Sequence, residues 1–560
     1  MLSRPMGTSP PLRRPDGPRA LRALLPLAVT AALVSAAFFL VELYALDGRL
    51  GFPLDDSWIH LAFARNLAAG HGLGIHPDEL VAGSTGPLWT ALAAVGVALP
   101  VPDLLWMQLL GAVFHIGGVL LTWLFARRLG LSGGLALLAA GLVAATGWLA
   151  WSALSGMEVP LFVLLTLAGL VLHLGERADP GRAPLSLAVF GVSALARPEG
   201  LLLLTLAATD RLLRFRRRPE GGLELELPAA AGAERGSALA AVLRRLGAGL
   251  ALAAVAVVPV ALFYAALGGS PVPTTLAAKT GGGGAGLHPP DLRYLHQAGG
   301  VLFQAQPWLT LLAPAGAVAL VRRLGTPADR GLLPALWLLG LPIAYACLTP
   351  AGGNPLLGNF GRYLFPLFPV LAVLGVVGLE PVAKALGAGR GGAPARRAVA
   401  LAALALLVFP TLAASARTAA LYARNLSDVE RGDVAMARWL AGRLPEEAVV
   451  ATMDIGALAA ILPNPVLDLA GIANPEIARH LRRAEEAGGS WQDGVLAFLA
   501  ERKPDYLVVF PEWLGAVERP GSPFRRLHTI HVSGNVTLGR DTLALYATPW
   551  TRYPLARGGP

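Results

Sequence analysis

Long apolar runs separated by short basic or turn-rich stretches make up most of this chain. About eleven of them read as membrane-spanning helices, at 23–46, 106–126, 132–152, 159–174, 183–196, 199–211, 247–267, 308–321, 332–348, 362–380 and 398–416. The fifth and sixth are short and flank Arg197-Pro198-Glu199, so they read as a helical pair meeting at a break near one membrane face. The run 86–100, GPLWTALAAVGVALP, is too short to span and reads as an interfacial or re-entrant helix. The first run follows a basic tail, reaches spanning length and lacks a small-x-small cleavage site, which makes it a signal anchor.

Beyond residue 418 the pattern changes. EEAVVATMD, NPVLDLAG and PDYLVVF read as short buried strands, and 474–488 and 491–502 as amphipathic helices. The expected architecture is an all-α polytopic membrane domain with its N-terminus inside, carrying a small C-terminal α/β domain outside. Its parts are a basic tail at 1–22, a membrane domain at 23–417 with an outer loop at 47–105, and the outer domain at 418–560.

Composition agrees: 54% of the residues are hydrophobic and 15% charged, and the mean hydropathy is +0.57. The net charge of +10 raises the question of nucleic-acid binding, and its distribution answers it. Threaded with the N-terminus in the cytoplasm, the inner segments hold 24 Lys and Arg residues and the outer ones, up to the last span, hold six. Every loop then obeys the positive-inside rule. The arginines are topology signals, and no nucleic-acid partner is implied. Cys347 stands alone within an apolar run, so no internal disulfide forms.

The same threading gathers the unusual polar residues on the outer face, where charge near lipid is costly and points to function. Asp55 and Asp56 follow the first span directly, in GFPLDDSWIHLAFARNLAAGHG. Their spacing fits an N-cap at Asp56 or Ser57 for a helix starting near Trp58. Two adjacent carboxylates exceed what a cap needs, and they also suit a general base or a cation ligand. Lys279 in PVPTTLAAKT and Arg362 in GNFGRYLFP are isolated cations on the cation-poor face, able to snorkel to headgroups or to hold a phosphate. Arg197 and Glu199 are expected to pair locally, and Glu158 in SGMEVP to sit as a charge at a helix start. His60, His71 and His76 lack metal-ligand spacing, so no metal ligands are assigned. KTGGGGAG at 279–286 reads as a flexible loop.

The stretches PLDDSWIHLAFARNLAAGHGLGIHPDELVAGSTGPLWT, SALSGMEVPLFVLL, ALARPEGLLLL, PVPTTLAAK and RYLFPLFPVLAVLG, in that order over roughly residues 50–380, resemble the GT-C glycosyltransferases. The nearest likeness is to the mycobacterial terminal arabinofuranosyltransferase group and its bacterial relatives. MDIGALAAILPNPVLDLAGIANPE and KPDYLVV resemble, more weakly, outer domains attached to such enzymes. GSTGPLW departs from the Ser-Pro or Ser-Thr pair common in relatives.

The resemblance implies an inverting transfer of a sugar from a polyprenyl-phosphate donor to a glycan or glycolipid acceptor, at the outer face of a bacterial inner membrane. It implies a general base at Asp55 or Asp56, with Asp55 preferred, and donor-phosphate contacts at Lys279 and Arg362. No cofactor is firmly implied. Some relatives use a divalent metal, for which Glu158 is the candidate second acid. The competing class is an envelope lipid or polysaccharide transporter, which would spread charge along a path through the membrane. A lipid-phosphate hydrolase would need a nucleophile or a His/Ser cluster that the sequence does not show.

Overall fold

The computed structural model describes residues 17–555 apart from 78, 180, 219, 221, 227–234, 276–287, 349–358 and 388–392. Each expected span coincides with a helix. They are α1 (Gly17–Ala45), α4 (Asp103–Arg128), the pair α5 (Gly133–Ala144) and α6 (Gly147–Leu154), α7 (Val159–Ala178), α8 (Leu185–Ala196), α9 (Gly200–Leu212), α10 (Arg235–Gly268), α12 (Pro307–Arg323), α13 (Leu333–Leu348), α14 (Phe368–Gly387) and α15 (Ala393–Val429). Six stretches among the described residues are long and apolar enough to cross a membrane, or seven if α5 and α6, bent by 53°, form one span. The chain is a multi-pass membrane protein. The stretch 86–100 forms α3 (Pro87–Val97), whose 11 residues rise only about 16 Å, roughly half a hydrocarbon core.

Small residues let these helices approach closely, as apolar packing in lipid requires. A Cβ on Gly316 of α12 would lie 1.9 Å from the Leu374 carbonyl oxygen of α14. One buried polar knot ties three of the helices together. Glu42 of α1 accepts from the Gly51 amide at 3.0 Å, from Gln108 of α4 at 2.8 Å and from the Tyr422 hydroxyl of α15 at 2.8 Å. That satisfies a carboxylate that burial would otherwise penalise.

Helix α15 does not end at residue 417. It continues through a π-helical turn, Glu430–Val434, into α16 (Ala435–Leu440). From Ala400 to Leu440 this rod is 41 residues long, about 60 Å and twice the hydrocarbon thickness, so about half of it extends past a membrane core.

The rod leads into a mixed sheet ordered β4 (Val466–Asp468), β3 (Val450–Thr452), β5 (Tyr506–Val509), β7 (Thr542–Ala547), β6 (Arg525–His531). Strand β3 runs parallel to β4 and β5, while β7 is antiparallel to β5 and β6. Between the strands lie α17 (Gly456–Ile461), α18 (Ile477–Glu486) and α19 (Trp491–Arg502). Val495, Phe498 and Leu499 of α19 pack with Leu507 and Val509 of β5 in a core of their own. The first three strands and the last two helices fall where the sequence places them. Strands β6 and β7, the hairpin β1 (Arg214–Arg217) with β2 (Leu223–Glu226), and α11 (Leu292–Ala305) do not follow from it.

Candidate active site

Residues 55–68 form α2, one turn earlier than the sequence predicts. Its N-cap is Leu54, and no side chain caps it. The capping expected of Asp56 or Ser57 is therefore not made. Both aspartates stand in the first helical turn, and each is drawn to a partner far along the chain.

Asp55 turns toward the outer domain. Its two carboxylate oxygens accept from the backbone amides of Gly456 and Ala457, each at 2.7 Å, at the start of α17. Burial, reinforced by the neighbouring charge of Asp56, pushes its pKa up to about 6 although both amide bonds lower it. Asp454, just ahead of α17, is pushed up to about 8 by burial and by the charges of Asp55 and Asp56. Asp433, on the π-helical turn, is buried with neither carboxylate oxygen hydrogen-bonded among the described residues, within electrostatic reach of Asp454 and Asp55.

Asp56 turns the other way and pairs with Arg362. The guanidinium is 2% exposed, lies 3.1 Å from the Met157 sulfur and stacks over the Tyr363 ring. A sharp backbone turn brings it inward, with Phe360 at φ 65° and Gly361 at φ 70°. Left-handed backbone at a phenylalanine is uncommon and is held here by its surroundings; the ring stacks on Trp148 with centroids 6.2 Å apart.

A second charged group adjoins the first. Arg197, at the break between α8 and α9, pairs with Glu158 and donates through Nε to Glu199 at 2.9 Å, so the expected local pairing is joined by a longer one. Glu199 also accepts from the Tyr345 hydroxyl of α13. His60 Nε2 lies 3.1 Å from Glu158. Burial alone would raise the Glu158 pKa, but the Arg197 charge, with His60 and Arg362, holds it well below the usual carboxylate range. Glu158 is the residue before α7, but its side chain caps nothing.

These groups line one cavity of about 260 Å³. Its polar wall includes Asp56, His60, Glu158, Arg197, Glu199 and Arg362; its apolar wall includes Leu201 and Leu202 of α9 and Leu341 and Leu348 of α13. The outer domain contributes Ile472. That contact is tied down by Thr274 Oγ1, which donates to the Ile472 carbonyl at 2.9 Å or the Ala82 carbonyl at 3.1 Å. His76 accepts from the Val466 amide at 2.7 Å, and burial lowers its pKa.

The structure thus brings Asp56, Arg362, Glu158, Arg197 and Glu199 together and places Asp55 behind them, on the outer domain. Lys279 and the stretch 279–286 lie outside the described residues. Among the described residues no group of three or more His, Cys, Asp and Glu side chains is arranged to hold a metal. The carboxylates present do not fit a resident divalent ion, because Glu158 is engaged by Arg197 and Asp56 by Arg362. Sequence reasoning missed Tyr345, Tyr363, Asp433 and Asp454, and saw His60 only as a metal candidate.

The molecule shares its fold with two solved structures. One is ArnT from Cupriavidus metallidurans bound to undecaprenyl phosphate, with 15% identity, a TM-score of 0.51, and 92% of this chain and 97% of that one covered. The other is the oligosaccharyltransferase of Archaeoglobus fulgidus, with 14% identity, a TM-score of 0.55, and coverage of 92% and 74%. At these identities the likeness is one of fold. Residues 420–551 match a family described as a domain of unknown function (DUF8728). Comparison with curated protein sequences gives no match.

Proposed function

We propose that this protein is a glycosyltransferase that moves a sugar from a polyprenyl-phosphate donor to a cell-envelope acceptor on the outer face of a bacterial inner membrane. The observation that carries the reading is the Asp56–Arg362 pair in the wall of a cavity whose other wall is apolar. A lipid-linked phosphate needs both surfaces at once: a fixed guanidinium for the phosphate and an apolar face for the first isoprene units. ArnT, of like fold, is a structure with undecaprenyl phosphate bound.

In this reading Asp56 is the general base. Its carboxylate faces the cavity, and the adjacent guanidinium favours the ionised form that can accept a proton. As the acceptor hydroxyl attacks the anomeric carbon, its proton passes to Asp56, and the bond to the phosphate oxygen breaks with inversion. The phosphate leaves with the bonding pair, its negative charge matched by Arg362 and by Lys279. Asp55 positions its neighbour by anchoring the first turn of α2 to the outer domain. Arg197, Glu158 and Glu199 hold the walls of the cavity together. Arabinofuranose is the sugar that the sequence resemblance suggests.

Deleting the protein tests this. The matching polyprenyl-phosphate sugar should accumulate in the lipid extract while its sugar disappears from an envelope glycan. Purified protein should restore the transfer in vesicles. An unchanged lipid-linked sugar pool together with an intact envelope glycan would remove the transferase reading and favour transport.

A further inference from the structure

The opposite end of α7 carries a second polar site that the transferase reading does not use. From Glu158 to Gly175 the helix rises about 25 Å, close to the thickness of the hydrocarbon core. There Arg128, at the last turn of α4, and Arg182, in the loop before α8, converge. A Cβ built on Gly175 would lie 2.5 Å from Arg128 Nη1 and 3.3 Å from Arg182 Nη1, so the two nitrogens are less than about 6 Å apart. Both guanidinium groups lie over the bare backbone of Gly175. They line a cavity of about 300 Å³ together with Val171, Leu172, Glu176 and Leu185.

The acid within reach is already engaged. Glu176 accepts from the Ser186 amide at 2.8 Å and its hydroxyl at 2.7 Å, and pairs with Arg211. Arg182 makes one long contact to exposed Asp179 at 3.3 Å. Arg128 has no hydrogen bond or ion pair among the described residues. Two like charges thus converge on a cavity whose one lining carboxylate, Glu176, is already engaged, an arrangement suited to an anion. Leu185, 48% exposed, gives the same cavity an apolar lip.

We infer that this cavity binds the phosphate headgroup of an anionic lipid from the leaflet at the Arg-rich end of the molecule. A phosphodiester accepts from two guanidinium forks at once, and a basic cavity between membrane helices is suited to such headgroups. The apolar lip selects a lipid over free phosphate, because an acyl chain can lie along Leu172 and Leu185. The inference rests on the multi-pass fold and is independent of the transferase reading.

The test uses the full-length protein in nanodiscs of dioleoylphosphatidylcholine with and without dioleoylphosphatidylglycerol, reading bound lipid by native mass spectrometry and thermal stability by intrinsic fluorescence. The wild type should retain phosphatidylglycerol and melt at higher temperature in its presence. Arg128→Gln with Arg182→Gln should weaken retention roughly 10- to 100-fold and erase the thermal difference. Arg182→Gln alone changes a half-exposed side chain, so it keeps the test valid should the double variant fail to fold, and it should weaken retention in the same direction. Equal retention by wild type and Arg182→Gln would overturn the site. Full protection by inorganic phosphate at the same phosphate concentration would overturn the lipid assignment.

Discussion

The Gly456 amide donates to Asp55 Oδ2 at 2.7 Å across 401 positions of sequence. A carboxylate at the start of a membrane-edge helix thereby holds the first turn of a helix in the outer domain. The two aspartates that begin α2 have separate work, and each can be removed on its own.

Asp56→Asn should lower transfer by about 10²- to 10⁴-fold, the usual contribution of a positioned general base, with expression and insertion unchanged. Asp55→Asn keeps one acceptor oxygen for two amides, so it should act more mildly, through a loosened outer domain. Initial rates in vesicles, alongside limited proteolysis of the outer domain, separate the two. Full activity in Asp56→Asn would move the base elsewhere.

Arg362 makes a different prediction. Arg362→Lys keeps a charge but loses the planar fork, and Arg362→Ala also removes the guanidinium that pairs with Asp56. Use of the lipid donor should fall roughly 10- to 100-fold for Ala and less for Lys. Titrating the donor at fixed acceptor distinguishes a donor effect, seen as a raised apparent KM, from an effect on the base.

Gly456→Ala probes the docking contact without touching a charge. The added Cβ would stand 2.0 Å from the Asp55 carbonyl oxygen and 2.8 Å from its carboxylate, a clash that backbone must relieve. The variant should insert normally, lose most of its transfer activity and expose the outer domain to protease. Wild-type protease resistance with wild-type rates would show that the contact is dispensable.

The acidic cluster predicts a pH dependence of stability. Asp55 and Asp454 are shifted up to about 6 and about 8 from a reference of 3.8, in a neighbourhood that also holds Asp56, Asp433 and Arg362. A carboxyl that binds its proton more tightly folded than unfolded adds stability at low pH, and loses it as pH rises through the folded pKa. Stability should therefore decline between about pH 4 and pH 8 and level off above. Asp454→Asn should flatten that slope, as read by the melting temperature of the protein in one detergent across the range.

Topology is tested by reporters. A fusion at Gly221 should report the cytoplasm, and one at the C-terminus the outer face, as the charge asymmetry requires. A cytoplasmic C-terminus would invert the whole assignment, the candidate active site included.

Much of this was legible in the sequence because charge is costly beside lipid. Asp55, Asp56, Glu158, Arg197 and Arg362 stand out as ionic residues among apolar runs, and the spans follow from hydropathy. The features that escape a sequence reading depend on pairing across the chain. The partners of Asp55 are backbone amides, which carry no residue signature. Tyr345 and Tyr363 look like ordinary span residues until the fold sets one on Glu199 and the other under two arginines. Asp454 is in view within the MDIG stretch, but its raised pKa comes from burial against Asp55, which no local pattern reports. Strand β6 is hidden because this edge strand, RRLHTIH, is basic and largely exposed.

The rod from α15 to α16 gives the outer domain a fixed phase. Each residue added to an α-helix shifts the rest of the chain by 1.5 Å and turns it by about 100°. A single insertion between the membrane and Glu430 would therefore swing α17 away from Asp55 and carry Ile472 out of the cavity wall. The π-helical turn at Glu430–Val434 is itself the kind of bulge that one extra residue creates. The spacing between membrane and outer domain is a counted length, and the geometry of the candidate site depends on that count as much as on the identity of its side chains.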